Sequence, residues 1–97
     1  MLQDLTHSSF EEHLNTPFRV DFGGEAPLEV VLYQVRLHEP HGGPRKQPFS
    51  LYFRGPRQPV LPQQIYGLEH DRMGTMEIFL VPVGLDGQGM GYEAVFN

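Results

Sequence analysis

Cysteine is absent from this chain, and so is tryptophan. Without a thiol there is no disulfide framework, no thiolate metal centre and no cysteine nucleophile. A domain without crosslinks is held by its core alone, which fits a reducing cytoplasm. Serine is scarce as well. Ser8 and Ser9 open a predicted helix and Ser50 lies in a predicted strand, so no Gly-x-Ser-x-Gly elbow is present for acyl transfer. No apolar run approaches the roughly 18 residues that a membrane helix needs. The stretch Met1-Leu2-Gln3-Asp4-Leu5 lacks the basic and apolar regions of an export signal. Cytoplasmic residence is therefore expected, or else export by a route that leaves no N-terminal signal. Basic residues are also few: 7 Lys and Arg against 12 Asp and Glu give a net charge of −5, which argues against nucleic acid as a partner.

What is present suits one small domain spanning residues 1–97. A chain of 11.1 kDa exposes about 5,700 Å² folded against about 16,000 Å² unfolded, enough burial for one modest core. Apolar residues make up 39%, too many for a disordered segment. Gly (11) and Pro (9) are spread between apolar runs and read as turn punctuation in an all-β domain.

The hydrophobic period supports that reading. A short N-terminal helix is predicted first, capped at Thr6 or Ser8, with Ser8 and Glu11 at capping-box spacing and Leu5 at its entry. Phe10 and Leu14 would share its buried face, and Thr16-Pro17 would end it. From there the period is two. Phe18, Val20 and Phe22 alternate with Arg19 and Asp21. In the run 28–38 the apolar set passes from Leu28, Val30 and Leu32 to Val31, Tyr33, Val35 and Leu37, which predicts a bulge or a strand buried on both faces. Phe49, Leu51 and Phe53 form a third strand, Tyr66, Leu68 and His70 a fourth. Met76, Ile78 and Leu80 alternate with Phe79, Val81 and Val83 in a fifth, expected to be central. The segment 92–96 forms the sixth. Six mostly antiparallel strands of this length close into a small barrel or stack as a thin sandwich. The double-sided strands around Val30 and Phe79 favour the barrel, its outer face partly covered by the helix.

Few residues form patterns that carry chemistry. His38 and His41 flank Glu39, and His70 is a conceivable third metal ligand, but two histidines in a Gly/Pro-rich loop do not make a preorganised site. The 86–91 segment has glycines and one acid, where a calcium loop needs several carboxylates. Tyr52 and Arg54 are too few for a base-stacking platform, and Arg54 is expected to pair across the sheet with Glu69 or Glu77. No catalytic residue, metal ligand or cofactor site is assigned, and the chain is read as no enzyme.

Charge distribution is more informative. Residues 40–60 carry Arg45, Lys46, Arg54 and Arg57 with no acid, between flanks in which acids outnumber bases. Besides the solvated-loop reading, such a basic segment suits docking to a protein partner with an acidic surface. Loops stiffened by proline lose less entropy on docking. The last strand, running to Asn97, is expected at a sheet edge, where it would pair with a second copy in a homo-oligomer. A ligand-binding barrel with Tyr33, Tyr66 and Tyr92 at its mouth is the alternative.

Several segments resemble a small bacterial single-domain family without assigned function: Phe49-Ser50-Leu51-Tyr52-Phe53-Arg54-Gly55-Pro56, Tyr66-Gly67-Leu68-Glu69-His70, Phe79-Leu80-Val81-Pro82-Val83-Gly84 and Tyr92-Glu93-Ala94-Val95-Phe96-Asn97. The resemblance is strongest after residue 49 and weak before residue 17. It implies a gene neighbourhood with phage-tail-like collar proteins, hence a role in a tail-like or surface assembly. It implies no catalytic residue.

Overall fold

Alternating inward and outward side chains give six strands, and each strand finds two neighbours. The computed structural model describes residues 5–97, and the remainder of the Met1–Leu5 stretch read above lies outside them. The elements are α1 (His7–Glu11), β1 (Pro17–Asp21), β2 (Leu28–Leu37), β3 (Phe49–Gly55), β4 (Gln64–His70), β5 (Gly74–Asp86) and β6 (Gly89–Phe96). They form a closed barrel in the order β1-β2-β3-β6-β5-β4, every neighbouring pair antiparallel. Closure joins β1 to β4 through the pairs Arg19↔Glu69, Val20↔Leu68 and Asp21↔Gly67. Over Gly89–Glu93 β6 lies between β3 and β5 and is no edge strand, contrary to the expectation from its terminal position, because closure places a strand on each of its sides; beyond Glu93 only β3 pairs with it.

The interior is filled by the inward set, including the fully buried Phe18, Val30, Leu32, Phe53, Leu68 and Tyr92. Phe18 and Phe53 meet edge to face at 5.3 Å. One barrel end is plugged by α1. Phe10 packs against Phe49 (6.0 Å) and Phe96 (5.6 Å), which stack on each other at 4.7 Å. The connection 56–63 runs over the surface except at Leu61, which turns inward and donates its N–H to the Tyr92 hydroxyl at 2.9 Å.

The bulge predicted in β2 is present: the register with β3 shifts between Leu32 and Gln34. The extra residue, Tyr33, is turned outward, which accounts for the change of face in the sequence pattern. The helix is shorter than predicted. Thr6 is its N-cap, and the Thr6 N–H donates to Ser9 Oγ (3.1 Å), so Ser9 takes the place given to Glu11. Asn15, at φ 65°, ends the following turn. Leu14 is left 36% exposed, and Phe10 alone is buried from the helix. The helix closes the barrel end instead of covering part of the outer face.

Candidate functional site

β3 decides what becomes of the four basic residues. Arg45 and Lys46 precede the strand, Arg54 and Arg57 lie at its far end, and six residue steps of about 3.3 Å separate Phe49 from Gly55. The basic segment therefore forms two pairs about 20 Å apart, not one patch. Arg54 points outward from β3, opposite Gly91, and reaches over that glycine to β5. Its Nη2 donates to Asp86 Oδ2 at 2.8 Å and its Nη1 to Gln88 Oε1 at 3.3 Å. Its guanidinium stacks over the Tyr33 ring at 4.0 Å. Arg57 donates to the Asp86 carbonyl at 3.3 Å. Asp86 Oδ1 accepts the N–H groups of Gln88 (2.7 Å) and Gly89 (3.0 Å). The Gln88 amide first, and then Arg54, hold the Asp86 carboxyl below its ordinary range. Arg54 and Arg57 thus fasten the β5–β6 turn. The partner predicted for Arg54, Glu69 or Glu77, is replaced by Asp86, because two antiparallel registers carry that residue beside it. Glu69 pairs with Arg19 instead, at 3.1 Å.

Arg45 sits over the plugged end. Its Nη1 donates to the Leu5 carbonyl at 2.7 Å, and its guanidinium lies 5.5 Å from the Phe49 ring and 5.2 Å from Phe96. Lys46 beside it is exposed.

Next to this corner the barrel wall splits. The β5–β6 ladder runs from Asp86↔Gly89 to Val81↔Glu93 and stops there. Before Val81, β5 is paired with β4; beyond Glu93, β6 is paired with β3. A groove of about 450 Å³ lies between the diverging segments, lined by Arg45, Ile65, Glu77, Phe79, Val95, Asn97 and, deeper, Ile78, Ala94 and Phe96. Ile65 and Phe79 are cross-strand partners. They are 63% and 47% exposed, and Val95 across the groove is 49% exposed. Alternation alone read Phe79 as buried on the second face of a central strand. In the barrel that face is the outside, and no element among the described residues covers it. The signal for the groove was the recurrence of apolar residues at outward positions on β4, β5 and β6.

The other candidates are dispersed. Tyr92 and Tyr66 are buried in the wall, the Tyr66 hydroxyl donating to the Pro62 carbonyl, while Tyr33 is outside, so the three do not meet at a mouth. His38 Nε2 lies 2.6 Å from Ser50 Oγ, whose residue is fully buried, and His41 is exposed in the loop 38–48. His70 is 5% exposed. Its Nδ1 accepts the N–H groups of Arg72 (3.0 Å) and Met73 (3.2 Å), which puts the proton on Nε2, 2.9 Å from Thr16 Oγ1. The Thr16 hydroxyl donates onward to the His13 carbonyl. Burial, and then the neighbouring His13, push the His70 pKa down. Among the described residues no group of three or more His, Asp and Glu gathers as metal ligands, and no helix is long and apolar enough to cross a membrane.

The chain belongs to a family described as a domain of unknown function (DUF6916), whose model matches residues 5–96. Comparison with curated proteins and with solved structures found no match.

Proposed function

We propose that this member of the DUF6916 family is a non-enzymatic binding and assembly module of the cytoplasm, docking an acidic protein surface within a tail-like or surface assembly. The observation that carries the reading is the apolar trio Ile65, Phe79 and Val95, each about half exposed or more, around a groove whose lining includes Arg45. Exposed apolar groups rimmed by charge are what protein interfaces present before docking. Covering the exposed half of these three side chains contributes roughly 1 kcal/mol each. Lys46, exposed next to Arg45, adds a positive charge that speeds encounter with an acidic partner and orients it. Arg54 and Arg57, engaged with Asp86, serve the stability of the β5–β6 turn in this reading.

The test is a pull-down against products of neighbouring genes, with light scattering to record the oligomeric state. Lys46→Glu is expected to weaken capture of the partner, and Arg45→Glu with Lys46→Glu to abolish it. Lys46 is exposed, so its reversal leaves the fold intact and keeps the test clean. Unchanged capture by both folded variants would overturn the proposal.

A further inference from the structure

We infer that the groove between β5 and β6 takes an extended strand of the acidic partner, added to the open side of the sheet. The inference rests on the docking function proposed above and specifies how the partner is held. Continuing the register of Val81↔Glu93 would pair Leu80 with Ala94, Phe79 with Val95 and Ile78 with Phe96, yet the ladder stops. Each segment is already paired on its other side: Ile65↔Phe79 and Tyr66↔Ile78 on β5, Ser50↔Val95 and Phe49↔Phe96 on β6. In an antiparallel ladder the N–H and C=O groups of alternate residues point to opposite neighbours. Every second residue in 77–80 and 94–96 therefore aims its backbone groups at the groove, where the barrel supplies no ladder. A barrel otherwise abolishes its edges. Here a short stretch of edge remains on both walls.

The side chains define what strand fits. Ile65, Phe79 and Val95 require apolar groups at alternate positions of the partner. Exposed Lys46, the residue after Arg45 of the lining, favours an acid, and Glu77, in the lining, favours a base. The stack of Phe96 on Phe49 and Phe10 anchors the end of β6 to the plug. With β6 so anchored and β5 committed to β4, the barrel holds the groove open as a preformed seat.

The experiment is an NMR titration of the full chain, labelled with nitrogen-15, with a synthetic peptide alternating valine and threonine. The peptide carries two aspartates at one end and a lysine at the other, and a second peptide has the reverse order. One of the two is expected to shift the amides of residues 77–80 and 94–96 and to slow their exchange with solvent. Val95→Asp is expected to weaken binding at least tenfold and Lys46→Glu about fivefold. A peptide N-methylated at alternate residues, unable to extend a ladder, is expected to lose binding. Equal binding by the N-methylated peptide, shifts elsewhere, or no shift at millimolar peptide would overturn strand addition. Failure of strand addition together with partner capture that depends on Lys46 would leave the docking function standing, whereas loss of both would refute each.

Discussion

Phe10 is the test of how the barrel end is sealed. Its ring is fully buried and lies 6.0 Å from Phe49 and 5.6 Å from Phe96. Truncating a buried Phe to Ala costs about 3–5 kcal/mol, from the apolar surface lost and the cavity left behind. The two aromatic contacts add about 0.5–1.5 kcal/mol each beyond area. The plug lies at an end where α1, a single short turn, can partly collapse inward, so about 3–4 kcal/mol is expected for Phe10→Ala. At about 2.1 cal/mol/K of unfolding entropy per residue, 97 residues give about 0.2 kcal/mol per kelvin. The melting temperature should fall by about 15–20 °C. Thermal melts followed by circular dichroism, with urea unfolding to obtain the free energy, measure both quantities. A loss below about 1 kcal/mol with an unchanged urea slope would show that the Phe49–Phe96 stack closes the barrel without α1, and the account of the plug would be wrong.

Three further outcomes follow from geometry already described. Gly89 sits at φ 141° with the Gly55 carbonyl oxygen where a Cβ would have to go, so Gly89→Ala should destabilise by more than about 2 kcal/mol in urea unfolding; a near-neutral result would refute the close approach. The depressed His70 pKa means that the unfolded chain binds this proton more readily. Its contribution to stability is full above about pH 6.5 and falls by up to about 1.4 kcal/mol per pH unit as pH drops toward the folded pKa. Urea titrations at pH 7.5, 6 and 5 should show that slope reduced in His70→Gln, and an unchanged slope would exclude His70 as its source. Arg54→Met keeps much of the contact with Tyr33 but frees Asp86 and Gln88, so it should cost about 1 kcal/mol and raise amide exchange in the 86–89 turn; a cost near zero would make the bridge a surface pair without consequence.

Most of the architecture was legible because a period of two with Gly and Pro between runs leaves few alternatives to a β-fold. Tyr33 shows how far local reading reaches: a change of face within one run marks an inserted residue, and the register shift is there. The sequence offers Thr6 or Ser8 as the cap, and Thr6 forms it, with Ser9 in place of Glu11 in the capping box; the helix ends earlier than its pattern suggests, in turns that close on Asn15 in a left-handed backbone. Arg54 was paired with the wrong acid because Asp86 reaches it across two strand registers, which no local pattern encodes. Phe79 was read as buried because an apolar residue at an outward position is indistinguishable from a doubly covered one until the covering layer is known. The basic segment looked continuous because sequence distance conceals the length of β3.

The three-rung seam between β1 and β4 has a kinetic consequence. Its partners lie about fifty positions apart along the chain, whereas β4 with β5 and β5 with β6 are joined by tight turns. Loop-closure entropy makes this, together with the similarly distant β3–β6 seam, a slow junction to assemble, after the β4–β5–β6 meander has condensed. On its outer surface Arg19 bridges Glu69 and Asp71, contacts that salt screens, so the same line is where the finished cylinder should first unzip in native-state fluctuations.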